Sequence, residues 1–240
     1  SNGARAGRYE ILAGAAWTNT TYKAFMMGCN GSKGRHVFLV DNAEFYTTKP
    51  FYLADIDYTS ISNVVRVQNG AKFHVGGLIS YSFGNGISVS NATIEAVNVS
   101  VNGKSNSPQM GAQSNNWFMV EGDSPRVICG NGFSAPQASY VKFAIPANGY
   151  QPGIVPITVA TNFTVSADSH LLAEGLEERL ANIEATERIT LATAGNKMTV
   201  PQAVLDEANA LLPEKCKFYV EGKNLMLKAW KPSGLSLIVR

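Results

Sequence analysis

Few residues in this sequence combine the types and spacing that chemistry demands. Asp55 and Asp57, in the segment YLADIDYTS, form the best acidic pair. In an extended chain, residues two apart face the same side, so both carboxylates would stand together with Tyr52 and Tyr58 near them. Carboxylates accept hydroxyl hydrogen bonds or ligate calcium, and aromatic rings stack on sugar faces. The group is therefore a candidate saccharide or calcium contact, although a polar loop edge would have the same composition. Trp117 is the other candidate ligand contact, at the end of a stretch rich in Asn, Gln, Ser and Gly.

Other chemical readings are weaker. Glu121 and Asp123 flank Gly122, where turn formation accounts for them. His36, His74 and His170 stand at unrelated positions, which supports neither a triad nor a metal cluster. The segment GCNGSKG, Gly28 to Gly34, is glycine-rich but lacks phosphate-loop order, and no helical pattern follows it. Cys29, Cys129 and Cys216 show no CxxC spacing, so zinc is not expected and buried or idle thiols are. A formal charge of +2 without a long basic run gives no reason to expect nucleic acid. No stretch approaches the roughly 18 apolar residues of a membrane helix. No cofactor is expected.

The elements that must position these residues are repeated. The segment VRVQNGAKF, from Val65 to Phe73, overlays Tyr9–Trp17, Val37–Phe45 and Phe163–Leu171 without a gap, and Ile87–Ile94 and Phe118–Val127 with one. Val141–Tyr150 is a looser copy. The copies begin 22 to 31 residues apart, the mark of a stacked repeat architecture. Within each copy the first and third residues are apolar (Val65/Val67, Ile87/Val89, Phe118/Val120; Val37/Leu39 in the second copy) and the residue between varies. This is a short strand with one buried face. Asp41, Asn69, Asn91 and Gly122 mark a corner, and a second apolar column follows: Trp17, Phe45, Phe73, Ile94, Val127, Leu171. The Trp17–Phe45–Phe73 column reads as an internal stack. The longer copies carry insertions at 18–34, 46–63 and 101–117, where function is sought first.

The register also tests for catalysis. The outward column of the first strand reads Glu10, Phe38, Arg66, Ser88, Met119, Lys142, Thr164, with a single acid. A second reads Glu44, Lys72, Arg126, His170, where Glu44 and Lys72 fit a surface ladder of mixed sign. Past Leu171, Leu172, Leu176, Leu180 and Ile183 are spaced for a helix face. Residues 189–200 read as strand and turn, Pro201 opens a second helix, residues 217–230 read as a strand pair, and 234–240 as a final strand. Two units are expected: repeats over 1–171 and, over 172–240, a segment that caps or continues them.

In coil length, V-x-V strand and Asn69/Asn91 corner the chain resembles the right-handed parallel β-helix, pectin-lyase-like superfamily, over about residues 9 to 171. The tail is similar to the closing segments of secreted, autotransporter-like bacterial repeat proteins. The resemblance implies an all-β solenoid with a small C-terminal α/β cap. It also implies a secreted or cell-surface location, and a structural or adhesive role toward glycans or surface proteins. Polysaccharide lyases, hydrolases and trimeric phage tailspikes share the fold, so a carbohydrate-active enzyme using Asp55 and Asp57, with calcium possible, and a tailspike-like trimer are the alternatives. Ser1-Asn2 reads as the scar of a cleaved tag, which places the natural N-terminus, with any secretion signal, upstream.

Overall fold

A computed structural model describes residues 7–19, 23–27, 34–54, 61–81, 83–101 and 115–230. The apolar alternation becomes short strands laid down in a recurring order. First come β1 (Arg8–Ile11), β2 (Ala16–Asn19) and β3 (Phe25–Met27), then β4 (Val37–Asp41), β5 (Glu44–Thr47) and β6 (Pro50–Leu53). Next are β7 (Val64–Gln68), β8 (Lys72–Val75) and β9 (Gly77–Ser80), followed by β10 (Gly86–Ser90) with the long β11 (Thr93–Val101), and β12 (Trp117–Glu121) with the long β13 (Arg126–Ala135). The series closes with β14 (Tyr140–Ala144), β15 (Ile157–Val159) and β16 (Asn162–Val165), then β17 (His170–Glu174), β18 (Glu187–Ala194) and β19 (Lys197–Thr199).

These strands pair in parallel along three ladders. The first, β1-β4-β7-β10-β12-β14-β17, is a sheet of seven strands. The second runs β2-β5-β8-β11-β13-β15-β18, and the third joins β3, β6 and β9 to the second halves of β11 and β13 and then to β16 and β19. Each ladder turns alternate apolar residues inward. Val65, Ile87, Phe118, Val141 and Leu171 fill the first, and Phe45, Phe73, Ile94, Val127 and Ile157 the second. Phe51, Leu78, Val99, Phe133 and Phe163 fill the third, and all of these side chains are buried in one core. Identical positions stack ring on ring: Trp17 on Phe45 at 4.6 Å, Phe45 on Phe73 at 4.9 Å, and Phe133 on Phe163 at 4.9 Å. The chain is thus mostly β, in long parallel sheets.

Several expectations change. In the second copy the inward pair is Phe38/Val40 rather than Val37/Leu39, because Val65 and Val67 pair with Phe38 and Val40. The corner of that copy is one residue shorter, so its left-handed residue is Asn42 (φ 46°), and Asp41 ends the strand. There the Asp41 carboxylate accepts from Gln68 Nε2 at 3.0 Å and Asn69 Nδ2 at 2.8 Å. Phe163 belongs to the third ladder and Leu171 to the first. The outward column of the first ladder accordingly runs through Leu39 and Leu172 rather than Phe38 and Thr164. The supposed insertions at 18–34 and 46–63 carry third-ladder strands, with Phe51 and Met27 buried.

A buried polar column runs beside the first ladder. His36, Asn63, Asn85, Asn116, Ser139 and Ser169 each directly precede a strand, and all are buried. Asn63 Oδ1 accepts from the backbone N–H of His36 at 3.1 Å, Asn85 Oδ1 from that of Asn63 at 2.8 Å, and Asn116 Oδ1 from that of Asn85 at 2.7 Å. Ser169 Oγ accepts from the Ser139 N–H at 3.2 Å. At these four positions a side-chain acceptor from the next repeat satisfies a backbone N–H just before the strand.

The tail follows its sequence pattern except at its start. Leu172 lies in β17, and helix α1 spans only Leu176–Asn182 after Gly175. Helix α2 (Gln202–Ala210) begins after Pro201, where a missing N–H costs nothing. It buries Val204, Leu205 and Ala208 and packs on β17 and on β20 (Cys216–Glu221). β20 and β21 (Asn224–Ala229) form the expected hairpin, and β21 pairs antiparallel with β18, covering the edge of that strand. The expected strand at 234–240 lies outside the described residues.

Candidate functional site

Alternation along the first ladder sends every second residue to its outer face. In register, one outer column reads Val64, Gly86, Trp117, Tyr140, His170. The column two residues on reads Arg66, Ser88, Met119, Lys142, Leu172. The middle of this face combines flat aromatic rings with an ammonium group.

Trp117 is placed by its neighbour below. Gly86 has no side chain, and a Cβ there would lie 2.0 Å from the Trp117 indole atoms Cε2 and Cζ2, so the ring occupies the space a side chain would fill. Tyr140 stands one step along the ladder, and its ring stacks on the His170 imidazole at 4.6 Å. His170 Nδ1 lies 2.6 Å from Glu207 Oε1, which ties α2 to β17 and fixes the far end of the row. Lys142 Nζ sits 6.0 Å from the Trp117 ring and 5.8 Å from the Tyr140 ring, within cation–π range of both. Arg66 is exposed on the same face, and Ser88 Oγ donates to Glu121 Oε1 at 3.2 Å.

Trp117 and Tyr140 stand on adjacent strands, about 4.8 Å apart at the backbone; both are half-buried, and one face of Tyr140 lies against His170. Indole N–H and phenol O–H are hydrogen-bonding handles on apolar bodies, and the lysine adds three donors. These are groups that can stack on and hydrogen-bond to a flat, hydroxyl-bearing molecule. An open groove of about 430 Å³ lies at the corners, lined by Gly14, Asn42, Ala43, Glu44 and Lys72.

Of the five expected contact residues, Tyr52 and Trp117 are among those described. Asp55, Asp57 and Tyr58 lie outside the described residues. Tyr52 sits on the third ladder between Met26 and Ile79, its ring 5.6 Å from Tyr81, whereas Trp117 stands on the first. Tyr140, Lys142 and His170 escaped the sequence reading as contacts. Lys142 belongs to the looser copy, Tyr140 directly precedes that copy, and the sequence pattern places His170 in the Glu44–Lys72 column.

The second ladder carries charge pairs on its outer face. Lys72 Nζ lies 3.0 Å from Glu44 Oε1, and hydrogen bonding to that carboxylate raises the lysine above its ordinary pKa. His74 stacks on Tyr46 at 4.6 Å and meets Glu95 Oε2 at 3.0 Å. Cys129 and Cys216 are free and buried; burial pushes the Cys129 thiol up to about 12 and, together with Glu177, that of Cys216 to about 11. Cys29 lies outside the described residues. Among the described residues no group of three or more His, Cys, Asp or Glu is placed to hold a metal ion. Comparison with family models, curated proteins and solved structures finds no match.

Proposed function

We propose that the chain is a right-handed parallel β-helix of the pectin-lyase-like kind, serving as a secreted or bacterial cell-surface adhesive module that binds glycan along its first ladder. The ordered visits to three parallel ladders support the fold, and the hairpin and α2 act as its C-terminal cap. One observation carries the binding role: Trp117 and Tyr140 stand one strand step apart, with the Lys142 ammonium near both rings. That spacing is of the order of one sugar ring, and the flat face suits an extended chain. The enzyme alternative rests on Asp55 and Asp57, and no described geometry favours it.

A glycan array probed with the intact chain, a Trp117→Ala/Tyr140→Ala variant and an Asp55→Ala/Asp57→Ala variant tests the reading. Specific retention should fall at least about tenfold in the aromatic variant, since each stacked ring contributes on the order of 1 kcal/mol, and persist in the aspartate variant. Retention lost only in the aspartate variant would move the site and revive the enzyme reading. No retention of any saccharide by the intact chain would overturn glycan binding.

A further inference from the structure

The two ends of the ladders differ. At the far end β21 pairs with β18 and α2 lies on β17, whereas β1, β2 and β3 each stand first, and among the described residues no strand pairs with their outer edges. Among the described residues, no strand or helix lies over the core columns at this end. Tyr9 is 53% exposed and Trp17 38%, although their ladder neighbours Phe38 and Phe45 are buried, and Leu12 between them is 50% exposed. An open strand edge with apolar residues beside it is a template for strand addition.

The edge of β1 selects a register and a partner. Val37 N–H donates to the Gly7 carbonyl at 3.0 Å. Backbone groups alternate sides along a strand, so residues 7, 9 and 11 face β4, and the N–H and C=O of Arg8 and Glu10 face the open edge. An antiparallel neighbour must form its paired hydrogen bonds through those two residues. Both side chains are exposed and already form an ion pair within the strand. A second β1, related by a two-fold axis at Tyr9, sets Arg8 opposite the partner's Glu10 and Glu10 opposite the partner's Arg8. Hydrogen bonding and charge are then satisfied in one register. Centring the axis on Arg8 or on Glu10 instead puts like charges face to face.

We propose that the open edge of β1 pairs antiparallel with β1 of a second copy, giving a two-fold dimer with Tyr9 at its centre. Such an interface is isologous, so each substitution acts twice. The test is light scattering of the full chain over a dilution series. A mass of twice 25.7 kDa that falls on dilution is expected. Arg8→Glu alone, or Glu10→Arg alone, sets like charges opposite one another in two symmetric pairs and should raise the dissociation constant about tenfold. The combined Arg8→Glu/Glu10→Arg chain restores both attractions and should dimerise like the parent. Circular dichroism verifies that each variant keeps the parent fold. A parent that stays monomeric, a mass of three chains, single variants that dimerise undiminished, or a folded double variant that fails to recover would each overturn the dimer.

Discussion

Replacing Asn85 with alanine cuts the buried polar column at its middle. Asn85 Oδ1 accepts from the Asn63 backbone N–H at 2.8 Å and from Asn63 Nδ2 at 3.0 Å, and its own Nδ2 donates to the Tyr81 carbonyl. Asn85 and Asn63 have no exposed surface, so water cannot readily take the place of the lost amide. Each buried group stripped of its partner costs roughly 1–3 kcal/mol, so the substitution should destabilise the fold by about 3–5 kcal/mol. With a urea m-value of about 3 kcal/mol per M, at the upper end for a chain this long, the midpoint falls by about 1–1.7 M. The comparison is Asn98→Ala: Asn98 Oδ1 also accepts two bonds, from Asn131 Nδ2 at 3.0 Å and Gly132 N at 3.2 Å, but at an exposed site. Water replaces those bonds, and the loss should stay under about 1 kcal/mol. Urea titrations followed by circular dichroism and by tryptophan fluorescence check both variants. An Asn85→Ala midpoint shift no larger than that of Asn98→Ala would refute the buried column as a source of stability.

Two further outcomes follow from particular residues. At Gly34 (φ +79°) a Cβ would lie 1.8 Å from the Ile61 carbonyl oxygen, whereas at Gly153 (φ +78°) nothing lies within 4 Å. Gly153→Ala should therefore cost only the left-handed penalty, about 1–2 kcal/mol, and lower the melting temperature by a few degrees. Gly34→Ala should lower it by more than about 10 °C or prevent folding; equal melting of the two variants would contradict the close approach. Burial raises the Cys129 thiol from 9.0 to about 12. The folded state then holds a proton that the unfolded chain releases above pH 9, so stability declines as pH rises from about 9 toward 12 and is unaffected by this group below pH 9. Cys129→Ala should flatten that decline by up to about 1.4 kcal/mol per pH unit, measured as urea midpoints at pH 8, 9 and 10; parallel pH profiles would show the thiol to be solvated.

Two ladders were legible because their alternation is clean and their corners use Asn and Gly. The register of the second copy was not, because Phe38, Leu39 and Val40 are all buried and parity carries no signal where both faces are apolar. The third ladder was hidden by variable spacing: Phe25 follows Trp17 by eight residues, while Leu78 follows Phe73 by five. In β11 and β13 it also fuses with the second ladder across an irregularity near Ala96. The misplacement of Phe163 has the same root, since every ladder shares one alternation and similarity alone does not say which ladder a strand joins. The polar column did leave a signal, a polar residue two positions before each of Phe38, Val65, Ile87, Phe118, Val141 and Leu171, though Asn and Ser read as turn formers. Of the candidate site, Trp117 was visible as a lone aromatic, while its grouping with Tyr140 and Lys142 depends on which strands are neighbours.

The proposed binding face is tested most directly by the indole N–H resonances in a two-dimensional nitrogen–proton spectrum. The chain has three tryptophans, Trp17, Trp117 and Trp230, and single Trp→Phe variants assign their signals. Titrated with a saccharide retained on the array, the Trp117 signal should move saturably while those of Trp17 and Trp230 stay in place. Saturable movement at Trp17 or Trp230 with Trp117 unchanged would contradict ligand binding on the first ladder.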